Sequence, residues 1–122
     1  NHIARMSAQP LHTTLLDALI SEGLGVYYEE HWQNIFAKSQ WGHILSKKQL
    51  LSEWSSAQKE LSSDTYDFAD WFHGRSGGHK CFTGYSLGNA LVDRFFTINK
   101  GITMAQAIQL SSEEILLHSQ MT

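Results

Sequence analysis

The sequence predicts an all-α domain, an irregular helical bundle, and two observations predict it. No stretch of four to eight residues alternates apolar and polar side chains with the period of two that a half-buried strand requires. Apolar residues instead recur at helical spacing in several blocks, most of them opened by a serine or threonine of the kind that caps a helix. The chain has 122 residues, 42% of them hydrophobic, with four Trp, six Phe and four Tyr. That is enough for one core, and residues 1–122 read as a single helical domain or a piece of one.

In chain order, residues 1–6 read as the end of a helix. Residues 7–12 read as a loop in which Pro10, the only proline, stops any helix before it. A helix from Leu15 to about Trp32 follows, started by Thr14 with Asp17 three residues on, a variant capping box. Phe36, Trp41, Ile44 and Leu45 dot a less regular connection containing Gly42. After Ser46 a second helix carries Leu50, Leu51, Trp54, Ala57 and Leu61. Ser62-Ser63-Asp64 interrupts it, and Tyr66 to Phe72 read as a short helix. His73 to Lys80, with three glycines in eight residues, is a loop. Thr83 is expected to cap a helix from about Gly84 to Asn99, with Leu87, Leu91, Phe95 and Ile98 as its stripe and a shallow groove at Gly84 and Gly88. Gly101 stops it. Thr103 opens a short helix through Leu110, and Ser111 or Ser112, with Glu114, opens the last.

The net charge of −3 and the lack of a basic cluster argue against nucleic acid as the main partner. No run of eighteen apolar residues exists, so no membrane span is expected. The lone Cys81 excludes an internal disulfide and suits a reducing, cytoplasmic setting.

One helix carries the chemistry. At 100° per residue, Leu15, Leu16, Leu19, Ile20, Gly23, Leu24, Val26 and Tyr27 share one broad arc, while Asp17, Ser21, Gly25 and Tyr28 fall opposite. Glu22 falls inside the apolar arc, where a carboxylate is costly unless something cationic meets it. Gly23 and Gly25 each cost on the order of 1 kcal/mol in a helix interior relative to Ala. Their presence predicts close packing beside Glu22. Twenty positions upstream of Glu22 stands His2.

Ser21-Glu22-Gly23-Leu24-Gly25, led by Thr14-Leu15-Leu16-Asp17-Ala18-Leu19-Ile20, resembles the segment that carries the glutamate zinc ligand of gluzincin-type metallopeptidases. More specifically, the chain from His2 to about Leu116 resembles a family of predicted zinc-dependent peptidases catalogued as a domain of unknown function. Such proteins carry His-Glu-x-x-His on one helix, with two zinc-binding histidines and a general-base glutamate, and a further glutamate ligand on the next. The resemblance implies that His2 is the second histidine ligand and Glu22 the glutamate ligand. It also implies that the first histidine and the base stand upstream of Asn1. The 122 residues are then the C-terminal helical portion of a zincin-like domain, expected to bind zinc weakly and to hydrolyse nothing on their own. Gly84-Tyr85-Ser86-Leu87-Gly88 resembles a Gly-Tyr-x-x-Gly element on a later helix of that family.

Each candidate carries an alternative. Tyr85 either donates its hydroxyl to an oxyanion on the scissile carbonyl or is an amphipathic aromatic at the core boundary. Arg75 and His79 either touch substrate from a cleft-lining loop or decorate an ordinary one. His73, His79 and Cys81 have zinc-ligand chemistry but match no compact structural spacing. His12 reads as loop surface and His31 as a histidine at a helix C-terminus. Asp17 reads as a cap and Glu29 as a solvated charge. The expected function is peptide-bond hydrolysis on a peptide or protein substrate, with Zn²⁺ as cofactor. Two rivals stand beside it. One is a non-enzymatic helical interaction domain in which Glu22 pairs with Arg5 or Arg94; the other is a family member that has lost the metal.

Overall fold

The computed structural model describes residues 14–31 and 43–121. The expectations for His2, Arg5, Pro10, His12, Trp32, Phe36, Trp41 and Gly42 lie outside those residues. Among the described residues there are six helices and no strand. They are α1 (Leu15–His31), α2 (Lys47–Gln58), α3 (Phe68–His73), α4 (Thr83–Ile98), α5 (Met104–Ala107) and α6 (Ser112–Ser119).

Local signals set the helix starts. Thr14 and Asp17 cap α1 reciprocally: Asp17 N–H donates to Thr14 Oγ1 at 3.1 Å, and Thr14 N–H to Asp17 Oδ2 at 3.3 Å. The next two amides of α1, otherwise orphaned, donate to the carbonyls of Ser63 and Leu61 at 3.1 and 3.0 Å. The α2–α3 connection is thereby tied to the start of α1. Ser46 with Gln49, Thr103 with Gln106 and Ser111 with Glu114 form full capping boxes at α2, α5 and α6.

Helix α4 is the one the others pack on: it meets α1 most extensively, and also α2, α3 and α6. Leu15, Leu19, Ile20 and Leu24 of α1 and Leu87, Leu91, Val92 and Phe95 of α4 are fully buried between them, and Trp71, Phe72 and Ile115 close the ends of this core. The two helices cross backbone to backbone at Gly23 and Gly88. A Cβ on Gly23 would fall on the Gly88 carbonyl, and a Cβ on Gly88 would fall on the Leu19 carbonyl oxygen. Any side chain here would force the helices apart. Gly25, which carries the same sequence signal, has nothing among the described residues within 4 Å of its would-be Cβ.

Three sequence expectations are corrected. Ile98, expected in the α4 stripe, is 40% exposed at the helix end. Phe96 is buried instead, stacked on Tyr27 with ring centroids 4.8 Å apart. Leu51 is 61% exposed because the buried face of α2 runs through Trp54 and Ala57. Thr83 does not cap α4. It is the first helical residue, and its hydroxyl donates to the Lys80 carbonyl at 2.6 Å. The cap position belongs to Phe82, held in the left-handed region at φ 69° with no side-chain cap.

Candidate functional site

Glu22 is half-buried on α1, next to the crossing glycine Gly23. Tyr85 is half-buried on α4, one turn before the other crossing glycine, Gly88. The crossing therefore fixes the two side chains relative to each other, although they are far apart in sequence. Their proximity is electrostatic as well as topological. Burial, then the negative charge of Glu22 and then that of Cys81, hold the Tyr85 phenol above its ordinary pKa of 10.0. At neutral pH Tyr85 is a protonated donor.

A second phenol lies in the field of the same carboxylate. Tyr66 lies in the connection before α3, and its pKa is raised by burial, by Asp17 and by Glu22. The sequence predicts Tyr66 as the start of a short helix, but that helix starts at Phe68. The approach of Tyr66 to Glu22 joins segments remote in the chain, and no periodicity announces that.

An aromatic frame holds Tyr85. Its ring meets Phe72 edge-on at 5.1 Å, Phe82 at 5.9 Å and His73 at 6.1 Å. Gly84 makes room for this frame, since a Cβ there would come within 2.6 Å of the Phe72 ring. The two glycines of Gly84-Tyr85-Ser86-Leu87-Gly88 thus have separate tasks. Gly84 admits Phe72, and Gly88 admits α1.

The loop after α3 is built around Asp70. This buried carboxylate accepts from the amides of Ser76 and Gly78 at 3.2 Å and of His79 at 3.4 Å, all on Oδ1. Gly74, at φ 65°, ends α3, and a Cβ there would crowd the His79 carbonyl at 2.9 Å. His79 Nδ1–H donates to Glu53 Oε1 at 2.9 Å, its Nε2 lies 3.9 Å from Asp70 Oδ2, and its ring stacks on Trp71 at 3.7 Å. These contacts join the loop to α2. Arg75 is exposed on the same loop. His73 is exposed and turns to Phe82 and Tyr85, while His79 turns to Glu53 and Asp70.

A further polar concavity of about 280 Å³ lies near the end of α1, lined by Glu30, His31, His43, Ser86, Asn89 and Asp93 among others. His43 Nε2–H donates to Glu30 at 2.9 Å, and the Ser86 hydroxyl accepts the Ile44 amide at 3.1 Å. His31 stacks on Tyr27, with its Nδ1 3.0 Å from the Tyr27 carbonyl oxygen. Glu29 is exposed, as expected of a solvated charge. Arg94, one of the two partners considered for Glu22, is exposed.

Zinc wants imidazole nitrogen, thiolate or carboxylate oxygen donors. Glu22 fits as one such donor: a half-buried carboxylate on an apolar face, with phenol hydroxyls of Tyr66 and Tyr85 in its field. Among the described residues no three His, Cys, Asp or Glu side chains form a group that could hold a metal ion, and His2 is not one of those residues. Nor is any described helix long and apolar enough to cross a membrane.

No curated protein and no solved structure matches the chain significantly. A family model described as "Predicted Zn-dependent protease (DUF2268)" matches residues 1–117, nearly the whole length. The chain therefore belongs to the DUF2268 family of predicted zinc-dependent proteases.

Proposed function

We propose that this protein is a gluzincin-like zinc metallopeptidase in which Glu22 and His2 are metal ligands and Tyr85 stabilises the transition state. The observation that carries the reading is the shared position of Glu22 and Tyr85 at the Gly23–Gly88 crossing, with the Glu22 charge felt at the Tyr85 phenol. Family membership supports it from a second direction.

Each residue has a defined task. Glu22 offers a carboxylate oxygen, and His2 an imidazole nitrogen. When bound, zinc supplies a water whose pKa is lowered to about 7, so that a nucleophile exists at neutral pH. Tyr85, protonated at that pH, points a donor at the oxygen of the scissile carbonyl. A donor in place before the negative charge develops stabilises the transition state more than the ground state. The frame of Phe72, Phe82 and His73 restricts the ring, so the donor is oriented before substrate arrives. The exposed Arg75 contacts the substrate chain from the loop. His79 keeps that loop in place through Glu53 and borders the substrate path.

Hydrolysis of quenched fluorescent peptides by the natively purified full-length protein tests this function. Activity should vanish with a chelator, return with zinc, and be lost in Glu22→Gln. Tyr85→Phe should lower kcat by roughly 100- to 1,000-fold with KM little changed, the signature of a lost oxyanion donor. Chelator-resistant hydrolysis, or full activity in Glu22→Gln, would refute the assignment.

A further inference from the structure

The polar concavity near the end of α1 continues the helix pair that carries Glu22 and Tyr85. α1 and α4 run in the same direction, since Gly23 meets Gly88 and, farther along both, Tyr27 stacks on Phe96. On α1, Glu22, Val26 and Glu30 are spaced four apart and form one ridge; on α4, Tyr85, Asn89 and Asp93 do the same. Each ridge starts at the candidate site and ends at the concavity, which Glu30, Asn89 and Asp93 line. Two steps along such a ridge cover about 12 Å of helix.

Size and lining narrow what fits. At about 280 Å³ the cavity falls just short of the roughly 300–1,000 Å³ of pockets that hold whole small ligands, which suits a single side chain. Leu45, Leu50 and Ala90 give it apolar wall, Glu30 and Asp93 supply carboxylates, and no Lys or Arg is among its described lining residues. The Glu30 side chain is only 6% exposed, and His43 Nε2 lies 2.9 and 3.0 Å from its two oxygens. The segment carrying His43 is itself fixed to α4, because the Ile44 amide donates to the Ser86 hydroxyl. Asp93 is exposed, and its charge reaches α1: burial first and then Asp93 raise the pKa of Tyr27. Apolar walls with carboxylates beyond them match a long aliphatic stem that ends in a cation.

We infer that this concavity is a specificity subsite for a lysine or arginine side chain of the peptide substrate, with the stem against Leu45, Leu50 and Ala90 and the cation between Glu30 and Asp93. The inference rests on the peptidase reading of the Glu22 site and names the substrate class for it. An extended chain advances about 3.3 Å per residue, so 12 Å of helix places the basic residue about three or four positions from the cleaved bond. The α-amine of a substrate trimmed one residue at a time stands beside its scissile bond and does not reach this far. A hydrogen bond from a cation to a buried carboxylate favours Lys over an uncharged stem of equal length by about 10-fold or more. An acidic side chain meets two like charges and is repelled.

The test reads binding first. The full-length protein is titrated with acetylated, amidated peptides carrying X at the centre of an Ala-Gly background, X being Lys, Arg, norleucine, Ala or Glu, while amide resonances are followed by NMR. The Lys and Arg peptides should bind about 10-fold or more tighter than the norleucine peptide, and the Glu peptide most weakly. The preference should shrink as salt is added. The Lys peptide should shift the amides of Leu50, Ala90 and Asp93 and leave that of Leu117 in place. Asp93→Asn and Glu30→Gln should each lower the preference, while Glu113→Gln, at an exposed carboxylate on α6, should keep it. Equal binding of Lys and norleucine, shifts confined to other surfaces, or a preference that survives both Asp93→Asn and Glu30→Gln would each overturn the inference. An Ala peptide with a free α-amine that binds as tightly as the Lys peptide would also overturn it, by placing a chain terminus in the site. The shift map on the unmodified protein decides the matter even if a variant does not fold. Zinc content and mass spectrometry of the cleaved peptides separate the two claims. Zinc-dependent cleavage three or four residues from the lysine supports both, and cleavage with no basic preference overturns the subsite alone. No zinc and no cleavage with the preference intact overturns the catalytic reading and leaves a site for basic peptides.

Discussion

The same substitution two residues apart in one helix should change stability in opposite directions. In a helix interior Gly→Ala removes backbone freedom from the unfolded chain and is favourable by roughly 0.5–1 kcal/mol when the site is open. At Gly25 nothing among the described residues lies within 4 Å of the added methyl group, so Gly25→Ala should stabilise by that amount. For a chain of this size, the change corresponds to a Tm increase of about 2–5 °C. At Gly23 the methyl group would land on the Gly88 carbonyl and stand 2.9 Å from its Cα, where ordinary contact begins near 3.4 Å. These are backbone atoms, which cannot rotate away, so α1 and α4 must separate by about an ångström where they cross. Overpacking of this kind costs about 1–3 kcal/mol, and rigid neighbours place it at the upper end. Set against the favourable helix term, Gly23→Ala should be net destabilising by about 2 kcal/mol, and Gly88→Ala likewise. Urea unfolding followed by circular dichroism reads all three variants. If Gly23→Ala proves as stable as Gly25→Ala, the backbone crossing is not where the structure puts it, and the argument that it positions Glu22 against Tyr85 fails with it.

Other perturbations follow from the same geometry. The folded phenol pKa of Tyr85 lies above its unfolded value near 10, so its contribution to stability is complete below pH 10 and is lost as pH rises through the folded value. Tyr85→Phe should flatten that alkaline loss, and Glu22→Gln should bring the Tyr85 titration in phenolate absorbance back toward pH 10; an unchanged titration would separate the two residues. At α6 the Ser111 backbone and side chain lower the Glu114 pKa, so this carboxylate stabilises above its unfolded value near 4.5 and the benefit fades as pH falls through the folded one. Glu114→Gln, which can still accept from the Ser111 amide, should lessen the acid sensitivity of the α6 amides in hydrogen exchange. Asp70→Ala orphans three loop amides and should cost about 1–3 kcal/mol, with exchange of Ser76, Gly78 and His79 rising first. Protection retained at those amides would show that the loop is held by other contacts.

What could be read from the sequence was local. The capping pairs Thr14/Asp17 and Ser111/Glu114 and the serine or threonine before α2 and α5 were visible because each partner lies within one turn of the other. Gly23 signalled a close approach correctly, but Gly25 gave an identical signal in open space. Only the position of α4 distinguishes them. Thr83 looked like a cap because the residue type is right; the Asp70-centred loop decides instead, by bringing the Lys80 carbonyl to its hydroxyl. Tyr66 gained its place in the field of Glu22 through packing of segments distant in sequence, which composition and periodicity do not encode. Glu22 stands out as a candidate in the sequence because a charge inside an apolar arc breaks the pattern of its own helix.

Zinc content is the most direct test of the central claim. Metal per chain should be measured in the natively purified full-length protein and in Glu22→Gln, with circular dichroism confirming equal folding. One equivalent of zinc in the former and a clear loss in the latter would establish Glu22 as a ligand. Equal zinc in both, or none in either, would contradict the account and leave Glu22 a structural carboxylate beneath Tyr85.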